Sequence, residues 1–199
     1  KKIFKITCPT EDLKDDLLKK NIFREDKIIF LPDPVINIKE FIKKKFEKKD
    51  LLIDEIDKDC FIAVGRLTKQ KNFIYLINEF KKFLNIYPNE KLLIFGDGEL
   101  KKKILSKIKS NGMSNNIKLC GHTQNIYKYM LKSKAFILSS LWEDPGFVMI
   151  EAAASNVFVI SSDCPSGPKE FLYPEAGLLF KNNNLEDLES KIVEYLNMD

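Results

Sequence analysis

Histidine and tryptophan each occur once in these 199 residues, as His122 and Trp142, and arginine only twice, as Arg24 and Arg66. A single histidine leaves too few ligands for a zinc site of the usual histidine and cysteine type. The four cysteines, Cys8, Cys60, Cys120 and Cys164, form no CxxC pair. Three of them sit in or beside apolar runs, the pattern of buried free thiols in a reducing cytoplasm. No apolar run approaches the ~20 residues that cross a bilayer, and Lys1-Lys2-Ile3-Phe4-Lys5 carries no signal-peptide pattern. Transmembrane, collagen-like and disulfide-scaffold classes are thereby excluded.

Hydrophobic residues make up 44% and charged residues 31%, enough apolar material for a sizeable core. The length suits one ordinary domain, or one domain with part of another. Lys+Arg is 33 against 29 Asp+Glu, a net charge of +4. Such an excess fits an anionic ligand but lacks the concentrated basic stripe of a nucleic-acid reader. Lysine supplies 31 of the 33 basic residues, so Arg66 stands out, with a planar fork of donors that lysine cannot imitate.

Apolar runs of strand length fall at 3–7, 27–31, 60–64, 91–95, 117–120, 135–139, 157–161 and 177–180. Most are continuous Val/Ile/Leu/Phe runs, which suits strands buried on both faces. Between them Phe73, Leu76, Ile77, Phe80, Leu84 and Tyr87 repeat at helical spacing, as do Leu100, Ile104 and Ile108, then Leu185, Leu188, Ile192 and Tyr195. This alternation predicts an α/β fold, a doubly wound parallel sheet of Rossmann-like type with helices on both faces. Pro32-Asp33-Pro34 and the lysine-rich 39–49 interrupt the rhythm. We therefore expect residues 1–57 to be a strand–helix–strand tail plus linker, and 58–199 to be the main domain. Asp57-Lys58-Asp59 has a DxD spacing, but it precedes the first strand of that domain and reads as coincidence.

Six of the eight glycines directly follow predicted strands: Gly65, Gly96, Gly98, Gly121, Gly146 and Gly167. In open parallel sheets ligands bind beyond the carboxyl ends of the strands, and glycine lets them approach the backbone. Any one βα turn wants glycine anyway; six on one edge favour a ligand cleft. Helices beginning after Gly98 and near Gly146-Phe147 would aim unpaired amides at it. Arg66 and Lys71 add two cations, together suited to a diphosphate; the alternative is a pair of solvated surface charges. No Walker A or complete GxGxxG occurs, and Gly96-Asp97-Gly98 is only a fragment. Glu143 and Glu151 bracket a Pro-Gly bend and would suit vicinal hydroxyls of a sugar and a ribose better than a metal. Alternatively Glu143 caps the helix and Glu151 is merely exposed.

Phe61-Ile62-Ala63-Val64-Gly65-Arg66-Leu67-Thr68-Lys69-Gln70-Lys71-Asn72, Leu93-Ile94-Phe95-Gly96-Asp97-Gly98 and the Glu143-x7-Glu151 element followed by Ala152-Ala153 occur in that order. Over residues 58–197 this resembles the C-terminal, donor-binding domain of retaining GT-B glycosyltransferases of family four, the glycosyl transferases group 1. The resemblance implies a nucleotide-sugar donor, UDP- or GDP-linked, with no metal and no other cofactor. It assigns Arg66 and Lys71 to the diphosphate and Glu151 to the ribose. Glu143, with the backbone near Gly146, Phe147 and Val148, would hold the sugar and phosphates. Gly65 would lie in the first βα turn, and Gly96, Gly98 and His122 would flank the base. The sequence departs from the family pattern at Asp144-Pro145 and Phe147, which touches sugar recognition more than diphosphate binding. Residues 163–170 resemble members that build bacterial cell-surface polysaccharide.

The same resemblance implies transfer of a hexose with retention to a glycan or lipid-linked acceptor, which an N-terminal domain would bind. Only residues 1–35 look like the end of such a domain, and a final crossing helix is not recognised. We therefore expect this stretch to bind nucleotide without transferring sugar. Competing readings are a GT-B sugar-nucleotide 2-epimerase or phosphorylase-like enzyme, and a non-catalytic nucleotide-binding module. Lysines mixed with Ile, Leu and Phe at 39–49 and 101–109 could make peripheral contact with the inner face of the cytoplasmic membrane, though solvated faces look the same.

Overall fold

In the computed structural model, residues 4–47, 59–172, 176–181 and 187–198 are described. The expected boundary near residue 57, Asp57-Lys58 and the ends of the 3–7, 39–49 and 185–197 segments lie outside them.

A two-stranded parallel sheet pairs β1 (Ile6–Cys8) with β2 (Ile28–Phe30), joined through helix α1 (Glu11–Lys19). Thr10 caps α1 by accepting the Leu13 amide at 3.2 Å. The carboxylate of Glu170, far along the chain, accepts the Glu11 and Asp12 amides at 2.9 and 2.8 Å. That anion at the helix N-terminus fastens the small unit to the rest of the chain.

The main sheet has six parallel strands. They are β3 (Phe61–Val64), β4 (Leu92–Phe95), β5 (Ile117–Gly121), β6 (Ala135–Leu138), β7 (Phe158–Ser162) and β8 (Leu178–Phe180), in the order β5-β4-β3-β6-β7-β8. The chain runs outward from β3 to β5, then crosses back to lay β6 on the other side of β3. The loops after β3 and β6 consequently diverge, and the resulting crevice is where such sheets bind ligands.

Both faces of the sheet are covered, which explains the unbroken apolar runs. On one face Phe61, Ala63, Ile94 and Ile137 pack against α3 (Phe73–Leu84), α4 (Lys101–Ser110) and α8 (Asp187–Leu196). On the other Ile62, Phe95 and Phe136 meet α5 (Tyr127–Met130) and α6 (Phe147–Ala154). In α3 the buried residues Phe73, Leu76, Ile77, Phe80 and Leu84 keep the predicted spacing, while Tyr87 lies past the helix and stacks on Phe83.

Besides the four-residue α5, two further helices had no clear pattern in the sequence. α2 (Ile38–Lys45), capped by Asn37, arises in the lysine-rich stretch, and α7 (Pro168–Leu172) is a short turn. None of the four cysteines forms a disulfide, and none is exposed. Burial pushes the Cys120 and Cys164 thiols up to about 11, which keeps them unreactive. Among the described residues no helix is long and apolar enough to cross a membrane.

Candidate functional site

The loops after β3, β4 and β5 are laced together by backbone hydrogen bonds. The Gly65 amide donates to Phe95 O at 3.0 Å, Leu67 to Asp97 O at 2.9 Å, and Gly96 to Gly121 O at 2.8 Å. They enclose a cleft of about 340 Å³ walled by Gly65, Arg66, Gly96, Asp97, His122 and Thr123. Four residues singled out from sequence (Gly65, Arg66, Gly96 and His122) therefore converge on one hollow at the carboxyl edge.

The reason for the glycines differs in part from the expectation. A Cβ on Gly96, whose φ is +141°, would stand 1.9 Å from the carbonyl oxygen of Gly65. Gly98 would meet Leu67 backbone atoms at 2.8 Å, and it does not line the cleft. These two glycines first serve the close packing of neighbouring loops. Asp97 fixes the bend by accepting the Gly98 amide at 2.8 Å and Lys101 at 2.9 Å. The Lys101 bond, then the amide, hold its carboxyl below the usual range. α4 starts at Lys101, three residues after Gly98.

Lys71 and Glu143 make the contact that sequence reasoning missed. The Lys71 ammonium lies 2.5 Å from Glu143 Oε1, with the two side chains only 12% and 5% exposed. Ser140 Oγ donates to the same carboxylate oxygen, and Ser139 Oγ donates to Lys71 O at 2.8 Å. Ser139 and Ser140 are the first residues after β6, so the strand end pins both partners. The one available signal was two serines closing an apolar run. Lys71 is thus neither a solvated surface charge nor an idle cation. Glu143 does not cap α6 either: Gly146, at φ +94°, occupies the N-cap position without any side-chain bond. A Cβ on Gly65 would press on the Lys71 stem at 3.1 Å, so Gly65 joins this pair to the cleft.

Arg66 is exposed, and its Nη2 lies 3.5 Å from Gln70 Oε1. Gln70 in turn donates to Trp142 O at 2.9 Å, tying the β3 loop to the β6 loop across the crevice. α6 opens at Phe147, so the Phe147 and Val148 amides belong to its first turn, which has no intrahelical acceptors. Phe147 is exposed and Val148 half-buried.

Glu151, on the second turn of α6, is half-buried rather than free in solvent; the Tyr127 hydroxyl donates to its Oε1 at 3.2 Å. Burial raises its carboxyl above the ordinary range, opposed by the Tyr127 bond and by the charge of Lys44. Burial and the adjacent carboxylate push the Tyr127 phenol up to about 12. Among the described residues no group of three or more His, Cys, Asp or Glu side chains could hold a metal ion.

Residues 43–199 match the family described as Glycosyl transferases group 1. The chain belongs to this family. An uncharacterised glycosyltransferase of Methanocaldococcus jannaschii is 45% identical over 122 residues, 61% of this chain and 30% of that protein. The N-acetylgalactosamine-N,N'-diacetylbacillosaminyl-diphospho-undecaprenol 4-alpha-N-acetylgalactosaminyltransferase of Campylobacter jejuni is 38% identical over 129 residues, 64% of this chain and 34% of that protein. Among solved structures, Staphylococcus aureus TarM in complex with UDP superposes with a TM-score of 0.80 at 24% identity. That match covers 98% of this chain and 37% of TarM, and establishes the GT-B glycosyltransferase likeness of the fold. The chain spans about a third of the length of these curated relatives. Their names place them among glycosyltransferases rather than epimerases or non-catalytic modules.

Proposed function

We propose that this chain is the nucleotide-sugar donor-binding part of a retaining glycosyltransferase that moves a hexose from a UDP- or GDP-sugar to a glycan or lipid-linked acceptor. Residues 1–57 would be the end of an acceptor-binding domain and the linker, and 58–199 the donor domain. The observation that carries this reading is the convergence of Arg66, Gly65, Gly96 and His122 on one cleft over the carboxyl ends of β3, β4 and β5, which adjoins Lys71 and its partner Glu143 through Gly65. UDP in the TarM structure and the alpha linkage in the Campylobacter enzyme's name are consistent with it.

In this scheme a diphosphate lies over the β3 loop. Arg66 and Lys71 offset the negative charge that grows on the departing nucleoside diphosphate, and the Phe147 and Val148 amides add fixed dipoles. The amides are fixed by the helix start before the reaction, so their share needs little reorganisation as the bond breaks. Glu151 accepts the ribose hydroxyls, Glu143 and Gly146 face the sugar, and Gly96 and His122 border the base. No protein nucleophile is assigned, and no metal is called on. Lys71 must turn from Glu143 toward the phosphates, which links sugar contact to diphosphate contact. The relatives' names support extending the proposal to cell-surface polysaccharide or lipopolysaccharide synthesis; a cytoplasmic location is part of the same proposal.

Calorimetric titration of UDP and GDP tests the site. Arg66→Ala is expected to weaken the tighter nucleotide by roughly ten- to a hundredfold, the range for charge-assisted bonds to a phosphate. Affinity within twofold of the unmodified protein would refute the assignment. Product analysis of the full-length protein by NMR, reading the anomeric configuration, separates retention from inversion and transfer from epimerisation.

A further inference from the structure

Tyr127 has no role in the scheme above, yet it is buried on α5 directly after Ile126, which lines the donor cleft. Its hydroxyl reaches across to Glu151 Oε1 on α6, 3.2 Å away. The other side of its ring meets Phe41 of α2 edge-on, with centroids 4.9 Å apart and planes at 86°. α2 is fastened to the same place by Asn125, whose Nδ2 donates to Lys44 O and to Glu47 Oε2, both at 2.9 Å. A helix from the segment ahead of the six-stranded sheet thus backs a tyrosine that touches the acid assigned to the ribose.

We propose that Tyr127 is a positioning residue that holds the Glu151 carboxylate in the orientation that accepts a ribose diol, with α2 clamping Tyr127 from behind. The proposal rests on the reading of Glu151 as the ribose-binding acid and adds what aims it. Two vicinal hydroxyls can be accepted together only when both carboxylate oxygens face them in one plane. An unrestrained glutamate samples many rotamers and must give up that freedom on binding. Tyr127 has two side-chain torsions, and Phe41 walls its ring, so its hydroxyl is a fixed donor. One lone pair of Oε1 is engaged, the others remain for ligand, and the ordering is done before the nucleotide arrives.

Among the described residues two groups bear on the ionisation of Glu151. Tyr127 approaches from α5 and Lys44 from α2, where Lys44 is itself paired with Glu40 at 2.8 Å. Burial raises the carboxyl and these two neighbours hold it down. Losing the tyrosine hydroxyl therefore lets it rise further, and ribose binding that needs the ionised acid fails at a higher pH.

The test is Tyr127→Phe in the full-length protein, titrated with UDP and GDP and with their 2′-deoxy and 3′-deoxy counterparts across the mildly acidic to neutral range. The unmodified protein is expected to bind the deoxy forms roughly tenfold more weakly, the scale of a lost bond to a charged acceptor. In Tyr127→Phe that penalty should shrink to under threefold, with the binding midpoint moved to higher pH and the melting temperature within a few degrees. Phe41→Leu should move both readouts the same way by less. Tyr127→Phe keeping the full penalty and the original midpoint would overturn the positioning role while leaving the ribose assignment intact. Absence of any deoxy penalty in the unmodified protein, or of nucleotide binding, would overturn the ribose assignment and the proposal with it.

Discussion

Replacing Lys71 by alanine should unfold the protein at a lower temperature before it says anything about catalysis. Glu143 is 5% exposed and its ammonium partner, 12% exposed, lies 2.5 Å away. Removing the cation leaves a carboxylate that still accepts from Ser140 Oγ, a neutral donor that does not balance a full buried charge. Breaking one side of a buried pair costs about 3–5 kcal/mol. For a chain of this size each kcal/mol lowers the melting temperature by roughly 2–4 °C, so the loss should be roughly 6–20 °C. The double variant Lys71→Ala/Glu143→Gln should recover most of it, because the neutral amide can still accept from Ser140 without stranding a charge. The same pair predicts opposite signs in binding. Lys71→Ala weakens UDP, whereas Glu143→Gln alone, which frees the ammonium, tightens UDP by roughly three- to tenfold. Calorimetric melting and titration of the four proteins, each compared at one pH and salt, read both effects. A single variant that melts with the unmodified protein, or a double variant no better than the single, would refute the reasoning.

Gly96→Ala places a methyl 1.9 Å from Gly65 O at a φ of +141°, so a loss of about 3 kcal/mol or more is expected, read by denaturant unfolding. Glu151→Gln should stabilise the nucleotide-free protein at neutral pH. The folded carboxyl is raised above its unfolded value, so its ionisation opposes folding, and that cost grows as pH rises through the folded value. The gain in melting temperature should vanish when pH falls below the ordinary glutamate range; a gain independent of pH would refute the cause. α2 and its C-cap residue Phe46 expose Ile38, Ile42 and Phe46 about one turn apart, beside Lys39 and Lys43. Co-sedimentation with phosphatidylglycerol vesicles but not phosphatidylcholine vesicles is expected, and Lys39→Gln/Lys43→Gln should weaken it roughly tenfold or more.

Periodicity alone carried most of the architecture. Continuous apolar runs marked every strand of the main sheet because both faces are buried, and the spacing in α3 followed from one buried helical stripe. Rarity marked Arg66, and glycines at strand ends marked the edge that carries the cleft. α2 was harder to read, since it presents much of its apolar surface to solvent. α5 and α7, at four and five residues, are too short to establish a helical period.

Contacts across the sheet belong to the tertiary structure. Lys71 and Glu143 are 72 residues apart and meet because the crossover after β5 sets β6 against β3. For Glu151 the sequence left a cleft-facing acid and a merely exposed one both open; the fold half-buries it, with Tyr127 of α5 against it and α2 behind. Local preference is written into neighbouring residues, and the chain spells it out one turn at a time. Which distant charges must share a buried space is settled only when the strands take their order, because a pair is worth keeping only where water has been excluded.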